Sequence, residues 1–203
     1  MPKLIYVYEG IRSENGRREL INKRYFGGVY EGGKAIEKLW KEVSAYIEAS
    51  YDTEKLEKIY INGDGAAWIR SGQRFLDKGK FVLDRFHMHK YILRATSHLK
   101  DSTEDARGEI CRAIHRQSKK GAKEAFEKIL FVTEGEGKRK TVEASRDYIL
   151  GNWAGIMQWV RDKNKEVRCS AEGHVSHIYA DRMSSRPLGW SRRGADRMSR
   201  LRI

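Results

Sequence analysis

Asp64 lies in KIYINGDGAAWIR (58–70), where a short apolar run meets a Gly-Asp-Gly turn and a helical pattern then begins. The spacing predicts that Asp64 stands at the C-terminal tip of a buried strand, the end at which α/β proteins tend to build their sites. The next apolar run, KFVLDRFHMHKYI (80–92), repeats the arrangement, with Asp84 at its end and His87 following at Asp-x-x-His spacing. A third acid, Glu172 in CSAEGHVSH (169–177), opens a predicted helix that would point back toward the strand tips. Carboxylates converging in this way suit two-metal phosphoryl transfer. Two Mg²⁺ (or Mn²⁺) ions about 3.5–4 Å apart activate the attacking oxygen and stabilise the leaving one, and they need hard oxygen ligands.

Each acid also has a plainer reading. Gly and Asp are the commonest turn formers, so Asp64 could serve only its turn. Asp84 precedes a helix and could cap its first free amides. Glu172 would be favoured at a helix N-terminus by the dipole alone. Both sets of readings stay open from the residues. Cys169, His174 and His177 crowd around Glu172, but one Cys with His-x-x-His lacks the paired-ligand spacing of structural zinc, and Cys111 is distant. Farther on, Arg182, Arg186, Arg192, Arg193, Arg197, Arg200 and Arg202 surround Trp190, with Asp196 the lone acid of the last twenty-two positions. Arginines with an interleaved aromatic suit phosphate contact and base stacking, against the alternative of a solvated basic face.

The elements that must position these groups are readable from periodicity. Leu4–Tyr8 and Lys23–Tyr30 read as strands on either side of a polar turn at Ser13–Arg18. Lys34–Ala49 is an amphipathic helix, with Ile36, Leu39, Trp40, Val43, Tyr46 and Ile47 at helical spacing. Lys58–Asn62 and Lys80–Leu83 are strands around a short helix at Ala66–Leu76, an order that implies partly parallel pairing. Beyond Arg85 the pattern turns helical: Phe86–Leu99, Glu104–Lys119, Ala122–Val132 and Thr141–Arg161, interrupted by a turn at Glu134–Gly137. Ala171–Asp181 and Arg192–Leu201 close the chain as helices. Trp40, Trp153 and Trp159 fall on core-facing positions, while Trp68 beside the acidic tip is ambiguous.

The 203 residues carry a formal net charge of +13, with 34% charged and 39% hydrophobic residues. Such a basic excess fits a polyanionic partner, because each Lys or Arg laid on a phosphate releases a counterion. Two cysteines make no disulfide framework. No signal region opens the chain and no stretch has the roughly 18 apolar residues a membrane span needs, so a soluble protein of the cytoplasm is expected.

The stretches YINGDGAAWI, FVLDRFHMHKYI and CSAEGHVSHIYADRMSSRPLGWSRRGADRM resemble those of the ISLre-type bacterial insertion-sequence transposases. The resemblance runs from about Leu4 to the C-terminus. These enzymes are similar to the Mutator-like DDE transposases, whose ribonuclease-H-like core holds an Asp-Asp-Glu triad with a helical insertion before the Glu. Residue by residue, the resemblance makes Asp64 the second Asp and Glu172 the Glu, both metal ligands. Asp84 and His87 match the accessory Cys/Asp-x-x-His motif. The family's first Asp belongs on a strand upstream of Leu4–Tyr8, and nothing in Met1–Gly10 replaces it.

The expectation is therefore an α/β chain with an incomplete ribonuclease-H-like core in 1–84, a mixed sheet lacking its first strand. A helical insertion (85–168) and a helical C-terminal part with the Glu and the basic segment (169–203) follow. The implied reaction is Mg²⁺-dependent cleavage and strand transfer of double-stranded DNA, with this C-terminal part inactive or nearly so alone, and self-association compatible with it. Two alternatives stand beside it. One is a non-catalytic nucleic-acid-binding protein; the other is a metal-dependent nuclease that uses Asp84 as a further ligand.

Overall fold

The computed structural model describes residues 2–15, 17–162, 189–201 and 203. They divide into two compact units, Met1–Ile59 with Ser71–Gly79 and Ser170–Ile203, and Tyr60–Arg70 with Lys80–Cys169. The division differs from a break after residue 84: Tyr60–Arg70 and the second apolar run group with the helices.

In the first unit β1 (Pro2–Val7) pairs antiparallel with β4 (Arg24–Val29), Pro2 opposite Val29 and Val7 opposite Arg24. Between them β2 (Gly10–Glu14) and β3 (Arg17–Ile21) form an antiparallel hairpin in place of the polar turn expected at Ser13–Arg18. The missed signal is the Asn15-Gly16 dipeptide, the commonest two-residue hairpin connection; Asn15 has the required left-handed φ of 49°. Helix α1 (Gly33–Ser50) buries Leu39, Trp40, Val43 and Ile47, the stripe that its periodicity predicts.

In the second unit, apart from their first residues, β5 (Ile59–Gly63) and β6 (Gly79–Leu83) form a two-stranded sheet. The Ile59 N–H donates to Lys78 O (3.0 Å) and the Asp84 N–H to Gly63 O (2.9 Å). Both strands therefore run the same way. Phe81, Val82 and Leu83 are buried in succession, as a strand covered on both faces requires. After the short α2 (Ala67–Arg70) come α3 (Arg85–Thr96), α4 (Thr103–His115), α5 (Lys119–Val132), α6 (Glu136–Gly151) and α7 (Trp153–Val160). Met88, Ile92, Ile110, Ile114, Phe126, Val142, Ile149 and Ile156 make their shared core with the β6 residues.

Two helices differ from expectation. The one read as Phe86–Leu99 ends at Thr96 and continues as a 3₁₀ segment from Ser97 to Ser102. The one read as Thr141–Arg161 is two helices broken at Asn152 (φ −103°, ψ 14°). Among the described residues the strands make three two-stranded sheets rather than one mixed sheet, and no helix is long and apolar enough to cross a membrane.

Candidate functional site

Asp64 follows directly on β5. Its turn is tight on both sides. Gly63 is covered by Ile69, whose side chain would sit 2.8 Å from any Cβ there, and Gly65 has a left-handed φ of 87° that glycine alone adopts freely. The Asp64 carboxylate is exposed, and its Oδ1 accepts from the Ala66 N–H at 2.9 Å. One oxygen thus closes the turn.

Asp84 follows directly on β6, joined to the first turn through its N–H on Gly63 O. Its Oδ1 accepts from the Phe86 N–H (3.0 Å), so it is the N-cap of α3. Its Oδ2 lies 3.0 Å from His87 Nδ1. An ionised carboxylate only accepts, so Nδ1 of a neutral His87 carries the hydrogen and Nε2 is left as the acceptor. Asp84 is 8% exposed.

Two residues that the sequence did not single out complete the cluster. The Tyr148 O–H, from α6, donates to the backbone carbonyl of Asp64. Its ring stacks on Tyr91 of α3, with centroids 3.6 Å apart and planes within 9°. Burial pushes the Tyr148 hydroxyl well above the usual tyrosine range, and Asp64, Tyr91 and Asp84 push it further. Asn152, at the break between α6 and α7, donates from Nδ2 to Tyr148 O (2.9 Å), while its buried Oδ1 has no hydrogen-bond partner. A Cβ on Gly65 would come within 2.7 Å of that oxygen. Nothing local marks Tyr148 or Asn152, because Tyr91, Asp64 and Gly65, which they meet, lie far away in sequence.

The second unit thus brings Asp64, Asp84 and His87 together. Glu172, Arg182 and Arg186 lie outside the described residues, as do Cys169, His174, His177 and Arg202. Among the described residues no three His, Cys, Asp or Glu side chains converge as a metal set. The exposed Asp64 carboxylate is the type of hard donor that a divalent cation takes.

In the first unit, helix α8 (Arg192–Leu201) packs on β4, and this accounts for part of the basic segment. Asp196 Oδ1 accepts from the Val29 N–H (2.8 Å), and its Oδ2 pairs with Arg200 Nε (3.0 Å). The Arg200 guanidinium also lies 5.8 Å above the Tyr30 ring, and Arg192 pairs with Glu31 at 3.2 Å. Arg192 and Arg200 are thus paired with acids, while all four of Arg192, Arg193, Arg197 and Arg200 are exposed and Trp190 is half-buried.

A family model described as "Uncharacterised protein family (UPF0236)" matches residues 1–203. The chain belongs to this family. A UPF0236 protein of Caldanaerobacter subterraneus subsp. tengcongensis is 43% identical over 202 residues, covering 100% of this chain and 42% of the relative. Another from that organism, 44% identical over 202 residues with the same coverage, bears a name that joins eleven loci of one genome. A more distant relative, the UPF0236 protein in the vanSb 3' region of Streptococcus gallolyticus, is 23% identical over 201 residues, 95% of this chain and 42% of its own. This UPF0236 chain spans about two fifths of the length of the curated relatives it matches. No solved structure gives a significant match.

Proposed function

We propose that this UPF0236 chain carries part of an ISLre-type DDE transposase, with a ribonuclease-H-like core and a reaction of Mg²⁺-dependent cleavage and strand transfer on double-stranded DNA. One observation carries the reading: Asp64 and Asp84 end two neighbouring parallel strands, whose ends are joined by the Asp84 N–H on Gly63 O. The relative whose name joins eleven loci adds to it, because a mobile element leaves repeated copies in one genome. The basic surface open to a polyanion also includes α3. That helix, capped by Asp84, contains no acid of its own and exposes Phe86, Lys90 and Arg94, with Lys90 over the Phe86 ring and Arg94 over Tyr91.

In this reading Asp64 and Glu172 would hold a divalent cation, which supplies an activated attacking oxygen and a stabilised leaving one. Asp84 orients His87 through Nδ1 and fixes the start of α3. Arg193 and Arg197 remain available to phosphates. Titration of the purified chain with Mn²⁺, followed by loss of the free-ion EPR signal, tests the assignment; Asp64→Asn and Glu172→Gln should each weaken binding. On a duplex bearing an insertion-sequence end this chain alone should show little or no Mg²⁺-dependent cleavage, and robust strand transfer by it would overturn that expectation.

Equal Mn²⁺ affinity in all three proteins would instead favour a non-catalytic nucleic-acid-binding protein. That second reading draws on Asp64 Oδ1 closing its own turn and Asp84 using both oxygens within α3. The same engagement of Asp84 weighs against a nuclease that needs it as a metal ligand.

A further inference from the structure

Asp64 is exposed, and a ligand on a two-glycine turn would ordinarily sample many orientations. Three contacts limit it. Tyr148 O–H donates to the Asp64 carbonyl, the Tyr148 ring is pinned flat against Tyr91 at 3.6 Å, and Asn152 donates to the Tyr148 carbonyl at 2.9 Å. Asn152 Oδ1 also occupies the space that any side chain at 65 would need. We propose that Tyr148 and Asn152 are positioning residues that clamp the Asp64 turn, so that the helices of the second unit set the direction of its carboxylate. The inference rests on the reading of Asp64 as a cation ligand.

The break at Asn152 follows from this role. Asn152 reaches back four residues to Tyr148 O, and α7 starts at Trp153, directly after it. A continuous helix would require helical backbone angles at Asn152, whose ψ is 14°. That placement leaves Oδ1 buried without a partner, where a polar atom is ordinarily hydrogen-bonded.

The clamp and the metal role are tested separately on the full chain. Tyr148→Phe keeps the ring and its stack but removes the donor. In the metal-free protein it should speed hydrogen exchange at the Ala66 amide, which is bonded to Asp64 Oδ1, about three- to tenfold. Exchange at the Asp84 amide, bonded to Gly63 O, should stay unchanged. Mn²⁺ affinity, read by EPR, should fall about three- to tenfold in the same variant, the effect of one lost hydrogen bond. Gly65→Ala, strained by its left-handed φ and crowded by Asn152, should weaken Mn²⁺ as well, and so should Asn152→Ala, which removes the donor to Tyr148 O.

Unchanged Ala66 exchange in Tyr148→Phe would overturn the clamp itself. Wild-type Mn²⁺ affinity in Tyr148→Phe, with weakened affinity in Asp64→Asn, would overturn its positioning role. If Asp64→Asn binds Mn²⁺ as the wild type does, the cation-ligand reading fails, and the positioning role fails with it.

Discussion

Asp84 and Asp64 make opposite use of similar carboxylates. Asp84 is buried and gives both oxygens to its own helix, one to the Phe86 N–H and one to His87. Asp84→Ala should therefore cost about 1 kcal/mol in urea unfolding, the usual loss for an N-cap, and Asp84→Asn should restore most of it by keeping the acceptor. Asp64 is exposed, and asparagine keeps the Oδ1 acceptor for Ala66. Asp64→Asn should change stability by less than about 0.5 kcal/mol while altering the response to Mn²⁺. A larger loss of stability in that variant would mark Asp64 as a turn residue first. Both acids were legible in the sequence, because an apolar run followed by Gly-Asp-Gly or by Asp-x-x-His fixes their place at a strand end. What each carboxylate is bonded to was not, since caps and turns use the same residue types as metal sites.

Among the elements, short-range signals were the most legible. The α1 stripe and the β5 and β6 runs follow from periodicity, and helix α8 starts at Arg192 as read. The β2–β3 hairpin was hidden because its strands are polar, and the α6–α7 break because the apolar spacing runs straight through Gly151-Asn152. Packing around that break is tight. A Cβ on Gly155 would lie 2.7 Å from the Phe81 ring and 3.0 Å from the Leu83 nitrogen. Gly155→Ala should destabilise the second unit by about 1–3 kcal/mol, the range for overpacking a filled core. In the first unit α8 is held by Asp196, whose carboxyl the Val29 N–H, and then Arg200, keep below the ordinary value of 3.8. The folded state thus prefers the ionised form. The contribution is present above about pH 3.8 and is lost as pH falls through the lower folded value. Exchange at the Val29 amide should accelerate below that pH, and Asp196→Asn should flatten the dependence.

For the whole molecule the net charge of +13 sets the expected behaviour toward polyanions. Affinity for duplex DNA should fall steeply with salt, and each phosphate contact removed should reduce the log–log slope by about 0.9. Replacing Lys90 and Arg94 together with Glu tests whether α3 contributes; an unchanged slope would return the weight to Arg193 and Arg197. Charge was fully legible from composition, but its distribution was not. The arginine-rich terminus looked uniformly available, yet Arg192 and Arg200 are engaged by Glu31 and Asp196.

The bond from Tyr148 to Asp64 spans 84 residues. A nascent chain therefore carries Asp64 and Asp84 long before it carries the hydroxyl that steadies the first of them. At about 5–20 residues per second, the ribosome adds those residues over several seconds, and the turn stays unsupported throughout. A product that stopped short of α6 would keep both acids and lack the clamp. Completion of this corner of the protein is thus a late event in its synthesis, governed by α6 rather than by the strands that bear the acids.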